Sequence, residues 1–215
     1  MTFEISNYKK LGSLIIVSGA SGTGKSSILK PVIATDPNLD FSVSCTTRKP
    51  RLGEKDGIDY YFIDVEKFQK LIAEDAFVEH ANVHGNYYGT LKSEVEGALH
   101  QGKDVLLDID IQGAMIIRKN FMEDTLIGRQ AEYIFIMPPS YEELEKRLRG
   151  RGTETEESLN KRLANAREEL KHFMDYDYCI INSELDKAIG HFKALIDSFR
   201  CKTRSLIAKP PSSVK

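Results

Sequence analysis

Residues 19–26 read Gly-Ala-Ser-Gly-Thr-Gly-Lys-Ser and fit G-x-x-x-x-G-K-[ST], the pattern of a phosphate-binding loop, or P-loop. Three glycines in six positions let the backbone close around an anion. The N–H groups of Gly19, Ala20, Ser21, Gly22, Thr23 and Gly24 then point into one concavity. A helix starting at Lys25 presents its positive dipole end to the same anion. Lys25 would reach the β- and γ-phosphates of a nucleoside triphosphate, and the Ser26 hydroxyl would ligate Mg²⁺. The bland alternative is a glycine-rich turn that only caps a helix. The β-type run before the loop and the helix-compatible run after it favour the triphosphate site.

A second cluster lies between positions 44 and 90. Ser44-Cys45-Thr46-Thr47-Arg48-Lys49-Pro50-Arg51 sets two arginines three apart around a proline. Their planar forks suit bidentate phosphate binding, and Tyr60 and Tyr88 add phenolic donors. Alone, Arg-x-x-Arg reads as a solvated surface pair; beside a P-loop it reads as a clamp on a second phosphate. Asp108 and Asp110 end the apolar run Leu-Leu-Asp-Ile-Asp, at the carboxyl edge of a parallel sheet, where α/β ligand sites form. Asp108 either orients Mg²⁺-bound water or caps the following helix. Arg147, Arg149 and Arg151 lead into the acidic run 153–158, and Arg162 and Arg167 follow on a helical pattern. For Arg147 and Arg149 the simplest reading is a basic helix end complementing its own dipole. The histidines show no metal spacing.

These residues need a scaffold, and 215 residues suffice for one α/β domain with a full core. Composition is ordinary, with 41% hydrophobic and 29% charged residues, which excludes disordered and fibrous classes. A net charge of −2 argues against a nucleic-acid partner, so anions must be held by local basic clusters. Three widely spaced cysteines, Cys45, Cys179 and Cys201, suggest neither a disulfide framework nor a zinc site, and fit a reducing compartment. The polar start has no apolar signal region, and no apolar run approaches the ~20 residues of a membrane span. The expectation is a soluble cytoplasmic protein; a homo-oligomer stays open.

Apolar runs at 14–17, 105–107, 134–137 and 179–181 alternate with helical patterns at 25–33, 91–100, 111–119, 141–149 and 185–206. Such alternation predicts a parallel sheet wrapped by helices. Residues 41–90 depart from it, being turn-rich, with short strand candidates at 41–44, 60–63 and 77–83. They predict a small, mainly antiparallel inserted subdomain. The polar stretch 147–171 is surface, or closes over something, and the tail 208–215 frays.

The stretches SVSCTTRKPRLGEKDGIDYYF, FVEHANVHGNYYGT, LLDIDIQG and RLRGRGTETEESLNKRL, in that order, resemble guanylate kinase across positions 14–206. The resemblance implies an α/β fold: a P-loop three-layer αβα core (about 12–40, 91–145 and 172–207) with a GMP-binding subdomain (about 41–90) and a helical lid (about 146–171). It implies that Arg48, Arg51, Tyr60 and Tyr88 hold the GMP phosphate. It assigns Ser44, Glu79, Thr90 and Asp110 to the guanine base, Arg151 and Arg162 to the transferring phosphates, and Asn182 to the neighbourhood of the adenine of ATP. Guanine offers N1–H and N2–H₂ side by side, which one carboxylate accepts together. Adenine lacks that pair and would leave the carboxylate unpaired.

The implied reaction is ATP + GMP ⇌ ADP + GDP, with Mg²⁺ as cofactor and dGMP a further substrate. Lys25, Arg48, Arg151 and Arg162 would carry the catalytic charge. Departures from the family pattern are small. Cys45 stands where serine is common, and the link 120–130 is slightly long. Three rivals are a non-catalytic scaffold module, a sibling kinase of another phosphorylated ribose, and a GTP-driven switch. The intact Gly24-Lys25-Ser26 speaks against the first, the guanine-reading set against the second, and the lack of an N-K-x-D motif against the third.

Overall fold

The computed structural model describes residues 4–83, 85–150 and 156–209; Arg151, His84 and positions 153–155 of the acidic run lie outside the described residues. A two-stranded antiparallel ribbon joins β1 (Tyr8–Lys10) to β11 (Leu206–Ala208). Between them runs a five-stranded parallel sheet of β2 (Leu14–Ser18), β3 (Leu39–Phe41), β8 (Asp104–Asp108), β9 (Ala131–Met137) and β10 (Tyr178–Ile181), in the order β10-β9-β2-β8-β3. The strand that feeds the P-loop is therefore central, hydrogen-bonded to β8 on one side and β9 on the other.

Every residue of β2 is buried, as expected of a strand covered on both faces. Its side chains alternate. Leu14 and Ile16 join Val105, Leu107 and Phe135 beneath α3 (Lys92–His100) and α4 (Ile111–Asn120), while Ile15 and Val17 join Leu106, Ile134 and Ile136 beneath α1 (Lys25–Thr35) and α8 (Leu185–Phe199). Those are the three layers that the sequence pattern predicts. Among the described residues, no helix is long and apolar enough to cross a membrane.

The second sheet is made of β4 (Cys45–Thr46), β5 (Tyr61–Phe62), β6 (Phe77–Val83) and β7 (Asn86–Leu91), in the order β5-β4-β7-β6. It is antiparallel except between β4 and β5. The intervening α2 (Val65–Ala73), which the turn-rich sequence did not advertise, starts where Asp64 accepts the Lys67 N–H at 2.7 Å. It packs Phe68 on Phe77 and Tyr87, with ring centroids 4.5 and 5.3 Å away. Cys45 is buried in that small core, and burial pushes its thiol up to about 11, which suits packing better than reactivity. The long link 120–130 contains a further short helix, α5 (Leu126–Gln130).

Two boundaries differ from the pattern reading. The strand expected at 41–44 is split: Leu39–Phe41 is the edge of the core sheet, and only Cys45–Thr46 enters the second sheet. The helix expected to run to 206 stops at Phe199, because Arg200 turns to Asp104 and Asp36, each 2.7 Å away. The lid candidates are α6 (Tyr141–Arg149) and α7 (Glu156–Leu170). Their Leu144, Leu148, Leu159, Leu163 and Ala166 form a separate apolar cluster that includes Ala20 of the P-loop.

Candidate active site

The P-loop spans the turn from β2 to α1. Gly24 caps the helix at φ 92°, in the left-handed region, and a Cβ there would lie 2.4 Å from Asn182 Nδ2. Gly22, at φ 91°, leaves room for Leu144 and Leu148, which would be 2.9 Å from its Cβ. Lys25 folds back over the loop and donates to the Gly19 carbonyl at 2.6 Å, with Asp108 3.7 Å away. Residues 20–27 and Asp108 enclose a cavity of about 230 Å³.

Asp108 ends β8, next to β2. The Asp108 side chain keeps 27% of its surface exposed, and burial raises its pKa while the Lys25 ammonium pulls it down. The N-cap of α4 is Asp110, which accepts the Gly113 N–H at 2.8 Å, so Asp108 does not cap that helix; it lines the P-loop cavity. Ser26 and Asp108 line that cavity together, a hard-oxygen pair suited to Mg²⁺. Among the described residues, no group of three or more His, Cys, Asp or Glu could hold a metal ion.

A second cavity, of about 350 Å³, adjoins the first and shares Asp108 as a wall. Ser44, Arg48, Arg51, Tyr60, Glu79, Tyr88 and Asp110 line it. The sequence scatters these over 67 positions; the small sheet and the end of β8 bring them together. Thr90 is fully buried behind that wall. Its hydroxyl donates to Glu79 Oε1 at 2.8 Å and lies 3.3 Å from Ser44 Oγ, so it orients the carboxylate and does not face the cavity. Burial pushes Glu79 up to about 7 despite the Thr90 bond, and Asp110 adds to the rise.

Arg48 lies over Tyr60, 5.4 Å from its ring centroid, and Tyr60 meets Tyr88 edge-on at 6.0 Å. Its terminal nitrogens fork onto Glu54 at 2.9 and 3.0 Å, and Glu54 also accepts the Arg51 N–H at 2.7 Å. That bond, with the Tyr88 hydroxyl, holds the guanidinium pKa above its ordinary value. Arg48 Nε is buried without a partner, a donor waiting for an acceptor. Glu54 is a residue the site reading missed, although its spacing, three after Arg51, matches the Arg-x-x-Arg step.

The remaining candidates divide. Asn182 is buried, and its amide donates to the Thr23 carbonyl at 2.8 Å, bracing the P-loop from below. Arg147 does more than end a helix: it donates to the Asn182 carbonyl at 3.0 Å and reaches that of Thr23 at 3.5 Å. Arg149 is spent on Glu145 and Glu156. Arg162 is half-buried on α7, and Arg167 lies over Tyr141 at 4.2 Å. A second missed residue is Glu169, on the last turn of α7, which lines a cavity of about 380 Å³ with Gly19, Ser21, Lys25, Asp108 and Asp110.

The family model described as guanylate kinase matches residues 12–199. The guanylate kinase of Syntrophotalea carbinolica is 45% identical over 194 residues, covering 90% of this chain and 89% of that protein. That of Fusobacterium nucleatum is 47% identical over 188 residues, covering 87% and 97%. The crystal structure of guanylate kinase from Anaplasma phagocytophilum superposes with a TM-score of 0.70 at 34% identity, covering 93% of this chain and 92% of that one.

Proposed function

The chain belongs to the guanylate kinase family, nucleoside monophosphate kinases that phosphorylate GMP with ATP, and we propose that its two adjoining cavities hold the two substrates of that reaction. ATP takes the P-loop cavity, with its phosphates on the backbone of residues 19–24, Lys25 and Ser26. GMP, or dGMP, takes the second cavity. Arg48, Arg51, Tyr60 and Tyr88 grip its phosphate, and Glu79, Ser44 and Asp110 face its base, with Thr90 behind Glu79. One observation carries this reading: Asp108 walls both cavities, so a phosphate on Lys25 and a phosphate on Arg48 meet across a shared edge.

The nucleophile is a GMP phosphate oxygen, already anionic at neutral pH, so no general base is needed. The protein contributes position and positive charge. Lys25 leaves the Gly19 carbonyl for the transferring group, and Arg48 Nε supplies a donor to the accepting phosphate. Ser26, and Asp108 through water, would hold Mg²⁺, which would supply charge neutralisation on the triphosphate. Arg162, and Arg151 outside the described residues, complete the charge cover as α6 and α7 close and exclude water. Small-molecule substrates alone, without nucleic acid or membrane, fit the net charge of −2. Three free cysteines support a cytoplasmic setting.

A coupled assay of ADP formation from ATP tests the reading, with GMP against AMP and water. GMP-dependent turnover should dominate. Lys25→Ala should lower it by about 10²–10³-fold with the melting temperature held, as loss of a preorganised charge does. Equal rates with GMP and AMP, or near-normal turnover in Lys25→Ala, refute it.

A further inference from the structure

Glu169 is placed where electrostatics disfavours a carboxylate. It sits on the last turn of α7, at the negative end of the helix dipole. It is half-buried, and it lines a cavity with Ser21 and Lys25 of the P-loop and with Asp108 and Asp110, where further carboxylates disfavour its charge. Its neighbour Glu168 is exposed and pairs with Lys171 at 2.7 Å. Ser21 and Lys25 of the P-loop line the same cavity and favour the charge of Glu169, while burial and Asp110 work against it. A residue kept against such a gradient has a use beyond solubility.

The packing says what that use is. Ala20, immediately before Ser21, belongs to the apolar cluster of α6 and α7, and Gly22, immediately after, is roofed by Leu144 and Leu148. Glu169 is the polar member of the same joint. Arg162 lies seven positions earlier on α7, two turns along the same face and about 10.5 Å nearer the helix start. The helix is thus a lever whose fulcrum bears on Ser21 and whose arm carries Arg162.

We propose that Glu169 is a positioning residue: by bearing on Ser21 and Lys25 it fixes the root of α7 on the P-loop, and so sets where Arg162 stands over the phosphates. This rests on the reading above that Arg162 serves phosphoryl transfer. It adds that the lid is registered to the P-loop through this one side chain. The required chemistry is acceptance of a hydrogen bond, so a side-chain amide should largely replace the carboxylate.

The test is steady-state kinetics of Glu169→Ala, Glu169→Gln, Arg162→Ala and the Glu169→Ala/Arg162→Ala double variant, with melting temperatures. Glu169→Ala should lower kcat about 10- to 100-fold, the scale of a misplacement of about 1 Å, with KM for GMP within twofold. Glu169→Gln should restore kcat to within threefold of the parent. The two single losses should not multiply, because Arg162 removed from a lever already adrift costs little more. Three outcomes overturn the proposal: an unaltered kcat in Glu169→Ala, multiplicative losses, or a lowered KM for ATP with kcat kept. The last would make Glu169 a stand-in anion displaced by ATP. If Arg162→Ala alone has no effect on kcat, it is the role of Arg162 that fails, and that result is distinct from the others.

Discussion

Replacing Glu79 by glutamine separates the demands of folding from those of base recognition. The carboxyl is 6% exposed and is held by the Thr90 hydroxyl at 2.8 Å, and burial still pushes it from 4.5 up to about 7. The folded protein therefore keeps a proton that the unfolded chain releases between these two values. Stability falls as pH rises across that window and levels off above about pH 7. At about 1.36 kcal/mol per pH unit the loss approaches 3 kcal/mol. Glutamine carries no such penalty, so its stability relative to the parent should improve by about 3 kcal/mol between pH 4 and pH 8. That is ~6–12 °C in melting temperature for a chain of this size, read by calorimetry across pH.

Function should move the other way. Guanine needs the ionised acceptor, so the apparent KM for GMP scales inversely with the ionised fraction and should fall about tenfold between pH 6 and pH 8. The phosphate of GMP titrates near pH 6 as well, and Glu79→Gln controls for it by retaining only that component. The variant should also lose about two to four orders of magnitude of GMP-over-AMP preference, the worth of two charge-assisted bonds. A melting-temperature difference that ignores pH would refute the burial argument. An identical KM profile in parent and variant would assign the titration elsewhere.

Glu54→Ala should free the Arg48 fork and raise KM for GMP about 10- to 100-fold with KM for ATP unchanged, as loss of orientation at a reacting group does; equal changes in both constants would refute the assignment. Gly24→Ala should destabilise the fold by about 1–2 kcal/mol from its left-handed backbone alone and abolish ATP binding by driving the Asn182 amide off Thr23. Thermal melts with and without ATP check this. Adding Asn182→Ala should relieve the clash but not the backbone strain.

Much of this was written in the sequence, and each exception has a physical cause. β2, β8 and β9 announce themselves as apolar runs because both faces are covered, and β10 reads as one from its Cys-Ile-Ile although it is an edge strand with only Ile180 buried. β3 did not, since in Leu39-Asp40-Phe41 only Leu39 is buried, the strand being at the sheet edge. α2 was hidden because its stripe of Phe68, Leu71 and Ile72 is short and sits among turn residues. The P-loop was legible from spacing alone, whereas the Arg48–Arg51 pair read as a phosphate clamp only in its company. Glu54 and Glu169 were not, because acceptance of a hydrogen bond by the one and a place in the wall of a cavity for the other leave no periodic or compositional mark. Arg147 was legible only as a helix end, since its partners Thr23 and Asn182 are 124 and 35 positions away.

Three cations in and beside the site are not held in solvent awaiting phosphate. Arg48 is forked onto Glu54, Lys25 faces Asp108, and Arg147 is bound by Glu143 at 3.0 Å. In each case a carboxylate fixes the direction of a flexible chain before substrate arrives, which lowers the ordering entropy that binding would otherwise have to overcome. It also lowers affinity for any single anion, because a phosphate must share or displace that carboxylate. A protein of net charge −2 with such guarded cations should bind inorganic phosphate feebly. It would respond only to ligands that add a base, a ribose or a second phosphate. Discrimination in this site would then begin with the acidic partners of its basic residues, before any contact with guanine is made.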